Sequence, residues 1–461
     1  MEKIKSSELL TYNRFDLSFK LILLEMMGYE VKFAKDIYRE HIRAFSLGEF
    51  IEPGNARKNS IEKYCLEFED VFKDINDNGF DNKKSIVPLS KNGSIANGSH
   101  RVASAIVLGK KVDCTRLETN DHIYDYNFFY KRNVPKKYLD VAASKFVEYA
   151  DDVYIAIIWP TAVGHDKEID KIITNVVYRK EVKLNSNGAH NLISQIYHGE
   201  KWLGTVENDF RGSKDKLVEC FKTFGPVRVI AFQADNLRDV LNIKRRVRDI
   251  FQVGKHSIHI TDNKREAVRV SSVIFNDNSI HMLNYSSPNK YMSTHASIGK
   301  INSFALKNNL SHKDFIVDSS MVLSVYGLRE ARDIDLLCSN NEVDTIYESI
   351  NLHDDELRHY PENKHELIYN PEMYFYFYGI KFMSFSCVYN MKKNRNEVKD
   401  VNDIKMMEAL IEGDVLKEYF SKIKQAIFYW QVRSRSRAVA FLKYIGVFPV
   451  VKKILFYIKG D

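Results

Sequence analysis

Cysteine is scarce in this chain. There are five in 461 residues, at Cys65, Cys114, Cys220, Cys338 and Cys387. No two stand at a zinc-ligand or redox spacing, so they read as reduced core thiols of a cytoplasmic protein. Long apolar runs are missing as well, and none is long enough to span a bilayer. Met1-Glu2-Lys3-Ile4-Lys5 leads into mixed polar sequence rather than a secretory core, so no leader is expected. What remains is a globular composition, 44% hydrophobic and 28% charged. A chain of this length exceeds one ordinary core and predicts two or three domains.

Acids are nearly absent from one region. From Lys417 onward there are ten bases and only two acids, Glu418 and Asp461, a net of +8. The whole chain carries +7, so the body is close to neutral. Large apolar residues alternate with those bases, among them Trp430, Phe441, Phe448 and Phe456. Residues 417–461 therefore read as a basic amphipathic tail suited to an anionic membrane surface. A helix docked on the body and a nucleic-acid contact are the alternatives.

Residues 1–122 form a first unit. Phe50-Ile51-Glu52-Pro53-Gly54-Asn55-Ala56-Arg57 reads as an extended entry and Ile61–Asn76 as a helix. Ser85–Leu89 follows as a strand, and Asn92-Gly93 as a turn. Asn97-Gly98-Ser99-His100-Arg101 then opens the apolar helix Val102–Leu108. Gly98 lets the backbone approach a phosphate, the helix start supplies N–H donors, and Arg101 offers a bidentate fork. The ordinary reading is a glycine turn with a capping serine and a surface arginine. The pattern over Glu49–Cys114 resembles the ParB/sulfiredoxin-like fold, which implies nucleotide binding and sometimes phosphoryl transfer at this loop. No basic helix-turn-helix follows it, so nucleic acid is not the expected partner.

Residues 123–300 alternate strand and helix, which predicts a central α/β domain. Strands are expected at Val153–Ile158, Asn175–Leu184, Val227–Phe232, Ser257–Ile260 and Asn278–Leu283. Helices are expected at Gly188–His198, Leu237–Phe251 and Asn263–Phe275, the last capped by Asp262. Two strands in one sheet would bring His259 and His281 together, although a histidine in an apolar strand is more often a core residue. Trp159-Pro160 and the run from Tyr197 to Trp202 fit a sugar or nucleobase pocket, with buried aromatics as the default. The bases of Leu237–Phe251 face either a diphosphate or solvent.

Residues 301–416 hold the most specific pattern. Val317-Asp318-Ser319-Ser320 reads as a strand end and turn, Met321–Tyr326 as a short helix, and Gly327 as a second turn. Asp333-Ile334-Asp335-Leu336-Leu337 follows as a strand. Residues i and i+2 of a strand share a face, so Asp333 and Asp335 present two carboxylates together, a set that suits Mg²⁺ on a nucleotide's phosphates. Ser319, Ser320 and Arg329 are candidate phosphate contacts. The order resembles the nucleotidyltransferase-fold superfamily, and Val398-Lys399-Asp400-Val401-Asn402-Asp403-Ile404 is also similar to a helix opening found there. Lys399 is a further phosphate candidate. The family's third acid is missing, since Ser384 or Ser386 stands on the strand where it belongs. Either Glu366 or Asp400 supplies it, or the site binds without transferring.

The expected fold is thus multidomain α/β and α+β. The expected function is Mg²⁺- and nucleotide-dependent transfer, with a nucleoside triphosphate as donor and a small-molecule or glycan acceptor. Asp333 and Asp335 would be its catalytic and metal residues. The setting implied is cytoplasmic, peripheral to the inner membrane face, in bacterial surface-polysaccharide assembly. A phosphotransferase acting through Asn97–Arg101 and a non-catalytic nucleotide- or nucleic-acid-associated protein are the rival classes.

Overall fold

The computed structural model describes residues 1–52, 58–340, 343, 350–412, 434, 437–449 and 451, without the side chains of 398, 399 and 402. It is a mixed α/β chain with three small sheets. The first joins β1 (Glu2–Lys5), β2 (Val87–Leu89) and β3 (Lys111–Arg116) in the order β1-β3-β2. Helix Asp16–Glu25 lies at the centre of this unit. It is buried on all sides, as its apolar run Leu21-Ile22-Leu23-Leu24 dictates, and it packs on helices Lys32–Ser46, Ser99–Val107 and Lys136–Tyr149.

The second sheet is antiparallel throughout. It contains β4 (Val153–Ile158), β5 (Val176–Val182), β6 (Val227–Gln233) and β7 (Ile258–Ile260), in the order β5-β6-β4-β7. Alternation sends Ala156, Ile158, Ile230 and Phe232 to one face, under Val240 and Val247 of helix Leu237–Phe251. Ile155, Ile157, Val229 and Ala231 turn to the other face and join the main core.

The third sheet contains β8 (Phe315–Asp318), β9 (Ile334–Cys338), β10 (Ile350–Leu352), β11 (Tyr374–Phe377) and β12 (Ile380–Met383). Its order is β10-β9-β8-β12-β11. The central β8 runs antiparallel to β9 and parallel to β12. One apolar core runs through all three sheets. Polar contacts join the first and last units directly: Tyr29 stacks on Tyr369 with ring centres 4.6 Å apart, and the Lys32 N–H donates to Glu366 at 2.7 Å.

Three expectations change. Asn278–Leu283 belongs to helix Asp277–Tyr285, capped by Asn276, whose Oδ1 accepts from the Ser279 N–H at 2.7 Å. The polar cluster Asn276-Asp277-Asn278-Ser279 is a helix-start signal that outweighs a short alternation. His281 therefore sits on a helix, 2.8 Å from the Tyr326 hydroxyl, whereas His259 of β7 pairs with Glu266 at 3.0 Å. Helix Lys264–Ile274 is capped by Asn263 rather than Asp262. Ser384 and Ser386 lie beyond the end of β12: Ser384 caps helix Phe385–Arg395, and Ser386 lies within it. Pro53–Arg57 of the extended entry and most of residues 417–461 fall outside the described residues.

Candidate functional site

The site at the end of β8 is built by two sharp turns. Ser319 takes a positive φ of 50° and caps the buried six-residue helix Ser320–Val325. Gly327, at φ 72°, then reverses the chain. A Cβ there would stand 2.8 Å from Ser287 Cβ and 2.9 Å from its carbonyl oxygen, so glycine is required. The chain returns as β9 directly beside β8, and the register sets Asp335 opposite Asp318. Asp333 lies one residue before the strand, where Ser320 Oγ donates to its Oδ1 at 3.0 Å. Asp333, Asp335, Ser319 and Ser320 are thus brought together, with Asp318 as a third carboxylate.

Asp318 is fully buried and its hydrogen-bonding capacity is heavily used. It accepts the Ser319 N–H at 2.6 Å and the Tyr360 hydroxyl at 2.7 Å to each oxygen, and His353 Nδ1 lies 2.9 Å away. Burial raises the carboxyl of Asp335, and the charges of Asp333 and Asp318 raise it further against the pull of His353. Burial opposes charging of His353, yet the hydrogen bond and charge of Asp318, helped by Asp335 and Glu356, hold it above the usual histidine range. The acids and His353 are thus electrically one unit. Among the described residues, no group of three or more His, Cys, Asp or Glu side chains is arranged to hold a metal ion.

The remaining candidates in this unit have other partners. Arg329 forms a bidentate pair with Asp403, at 2.7 and 2.9 Å, rather than an open phosphate fork. Asp400 accepts from Lys392 at 3.2 Å and from Arg395 at 2.9 and 2.8 Å. Burial works against its ionisation, but those cations hold its carboxyl down at about 2. Glu366 accepts from Lys32 N–H and from Asn370 Nδ2. The backbone of Lys399 lies in helix Val398–Ile411, and its side chain is outside the described residues. Asp318, His353 and Tyr360 are the residues that sequence reading misses. Asp318 stood within the motif itself, but its place opposite Asp335 depends on strand register.

In the first unit, Gly98 caps helix Ser99–Val107 at φ 88°, and a Cβ there would stand 2.6 Å from the Arg101 guanidinium. Asn97 Oδ1 accepts the Gly98 N–H at 2.6 Å, and Ser99 opens the helix. His100 turns inward. Its Nε2 lies 2.8 Å from the Tyr38 hydroxyl and its ring meets Phe68 edge-on at 4.5 Å. Burial, then Lys20, push it well below the usual histidine range, so it is a neutral core residue. Arg101 is half-buried and donates only to the Ile86 carbonyl, at 3.4 Å, among the described residues. The loop therefore offers Arg101 and backbone N–H groups to an anion, and not His100. No family model matches this chain, and no curated protein or solved structure does.

Proposed function

We propose that this chain is a Mg²⁺- and nucleotide-dependent transferase, moving a nucleotidyl group to a small-molecule or glycan acceptor at the turn between β8 and β9. The observation that carries the reading is the facing of Asp318 and Asp335 across adjacent strands, with Asp333 beside them and the Ser319-Ser320 turn at their edge. The donor set fits the ion. Mg²⁺ commonly takes one or two protein carboxylates and completes its shell with water and phosphate oxygens, so a closed three-ligand cage is not needed. Asp335, raised by burial and then by its acidic neighbours, has charge to gain from a cation, and Ser319 Oγ is buried without a partner among the described residues. Asp333 and Asp335 would hold the ion, which supplies charge neutralisation at phosphate.

The chain's own residues do the positioning. Ser320 orients Asp333, and Asp318 fixes His353 and Tyr360 behind the acids. A triphosphate held at the Ser319-Ser320 turn would leave its α-phosphorus open to in-line attack by an acceptor hydroxyl, with pyrophosphate as the leaving group. This reading takes residues 301–416 as nucleotidyltransferase-like and residues 1–122 as ParB/sulfiredoxin-like. Exposed Phe441, Tyr444 and Ile445 in the described part of the tail favour a membrane-peripheral setting, in line with surface-polysaccharide assembly.

A second reading rests on Arg101, half-buried and without an ion-pair partner among the described residues. On that reading the Asn97–Arg101 loop transfers a terminal phosphoryl group. Product analysis with each nucleoside triphosphate and Mg²⁺, over a panel of glycan and lipid acceptors, separates the two. Pyrophosphate release that disappears in Asp335→Asn supports nucleotidyl transfer. Nucleoside diphosphate release that disappears in Arg101→Ala supports the second reading. Nucleotide binding without either product makes the protein a sensor.

A further inference from the structure

A cavity of about 1,940 Å³ is at the other end of the third sheet from the acid cluster. Lys313, just before β8, and the Tyr378-Gly379 turn between β11 and β12 form one wall. The opposite end is formed by helices Arg211–Cys220 and Leu237–Phe251 with the short turn Gly254–His256. Four basic groups converge there: Lys216, Arg248, Lys255 and His256. Their mutual influence shows their proximity. Burial weakens the Lys216 ammonium, and Lys255 and Arg248 weaken it further. Burial, then Lys216, do the same to His256, with Lys255 adding to it and Glu219 opposing.

Lys216, Arg248 and Lys255 make no ion pair among the described residues, while Lys244 close by pairs with Asp262 at 3.2 Å. Among the described residues, Arg248 Nε and His256 Nδ1 are buried with no hydrogen-bond partner. Asp215 and Glu219 line the same wall, and Glu219 faces Lys222 at 3.9 Å. Clustered, partly desolvated cations repel one another, and a bound anion relieves that cost. Beside them stand two aromatic rings. Lys216 Nζ lies 4.8 Å from the Tyr197 ring centre and 5.9 Å from that of Trp202, and the two rings meet edge-on at 5.0 Å. Trp202 is 46% exposed at this edge of the cavity, an open face for a planar group.

We propose that this end of the cleft binds a nucleoside diphosphate, with the diphosphate among Lys216, Arg248, Lys255 and His256 and the base against Trp202. The site is separate from the carboxylate cluster and from the Asn97–Arg101 loop, and does not depend on the transferase reading. The diphosphate offers two adjacent anionic groups to a spread set of cationic donors, a set that suits it better than a single phosphate.

The test is calorimetric titration of the full chain with ADP, UDP and pyrophosphate in excess EDTA, which silences any Mg²⁺-dependent binding at Asp333 and Asp335. The expected result is that at least one nucleoside diphosphate binds, at least ten times more tightly than pyrophosphate. Arg248→Gln and Lys255→Glu should each weaken it ten-fold or more, and Trp202→Ala should remove the advantage over pyrophosphate. Asp335→Asn and Arg101→Ala should leave it unchanged. Lys255 is exposed, so its variant keeps the fold if Arg248→Gln does not, as thermal melting will show. The proposal is overturned if neither diphosphate binds in EDTA, if Lys255→Glu binds as tightly as the parent, or if Arg101→Ala abolishes the binding.

Discussion

At the scale of single residues, the decisive group is Asp335. Its carboxyl is raised, so the folded state holds a proton more tightly there than the unfolded chain does. Stability from this group is present below the ordinary carboxylate range and is lost as pH rises through the folded value, which leaves ionised Asp335 as a cost near neutrality. Asp335→Asn should therefore raise the unfolding free energy at pH 7 by roughly 0.5–2 kcal/mol, the gain typical of relieving a strained functional position. It should also abolish Mg²⁺-dependent pyrophosphate release; urea denaturation and a pyrophosphate assay check the two halves. Lys381 of β12 gives a second titration. Burial pushes its ammonium down to about 7, and its Nζ donates at 2.5 Å to the carbonyls of Lys313 and Ile368. Between about 7 and the ordinary lysine value the unfolded chain carries the extra proton, so this group makes stability climb as pH rises. A drop from 10.5 to about 7 corresponds to about 5 kcal/mol over the whole window. In Lys381→Met that climb should vanish from chemical denaturation curves taken between pH 7 and 10.

The secondary elements differ in how plainly their sequences announce them. Helix Leu237–Phe251 is found as expected, residue for residue, because Asn236 caps it and apolar positions recur at helical spacing. The strand–turn–helix–strand order around Ser320 is equally plain. By contrast, Asn278–Leu283 is six residues long, and a stretch that short carries too few periods to separate strand from helix. Helix Val398–Ile411 is pinned through its first turn: Asp400 and Asp403 meet Lys392, Arg329 pairs with Asp403, and Arg395 pairs with Asp400 as well as Glu356 and Glu397. Removing Asp400 takes one acid from Lys392, which keeps Asp403, and one from Arg395, which keeps Glu356 and Glu397. Asp400→Ala should cost about 1.5–3 kcal/mol in urea denaturation, the scale of a lost charged hydrogen bond. The folded carboxyl lies below its unfolded value, so the stability Asp400 contributes is present above the ordinary carboxylate range. It is lost as pH falls toward about 2, and the variant should show less acid sensitivity.

Across the whole molecule, charge and core are distributed differently. One apolar core ties the three sheets together, while the positive excess belongs to residues 417–461. Among the described residues no helix is long and apolar enough to cross a membrane. Deleting residues 417–461 should leave the body folded by circular dichroism and should abolish sedimentation with anionic vesicles. In the intact chain that binding should weaken as salt rises, because each base near such a surface contributes only about 1 kcal/mol and is screened. Vesicle binding that survives the deletion would place the contact elsewhere on the molecule.

Local pattern was enough to determine the mixed α/β character, the glycine turn that opens helix Ser99–Val107, and the Ser-Ser turn with its acidic pair. Those features depend on backbone preferences and short periodicities, which neighbouring residues carry by themselves. Long-range register decided the rest. Asp318 meets Asp335 only because β8 and β9 pair as they do, and His353 and Tyr360 reach Asp318 across 35 and 42 residues of chain. The same holds for the cleft, where Tyr197 and Trp202, Lys216, Arg248 and Lys255 come from separate segments. Trp202 and Arg248 were each legible as an aromatic and a base, but packing alone brings them to the lining of one cavity.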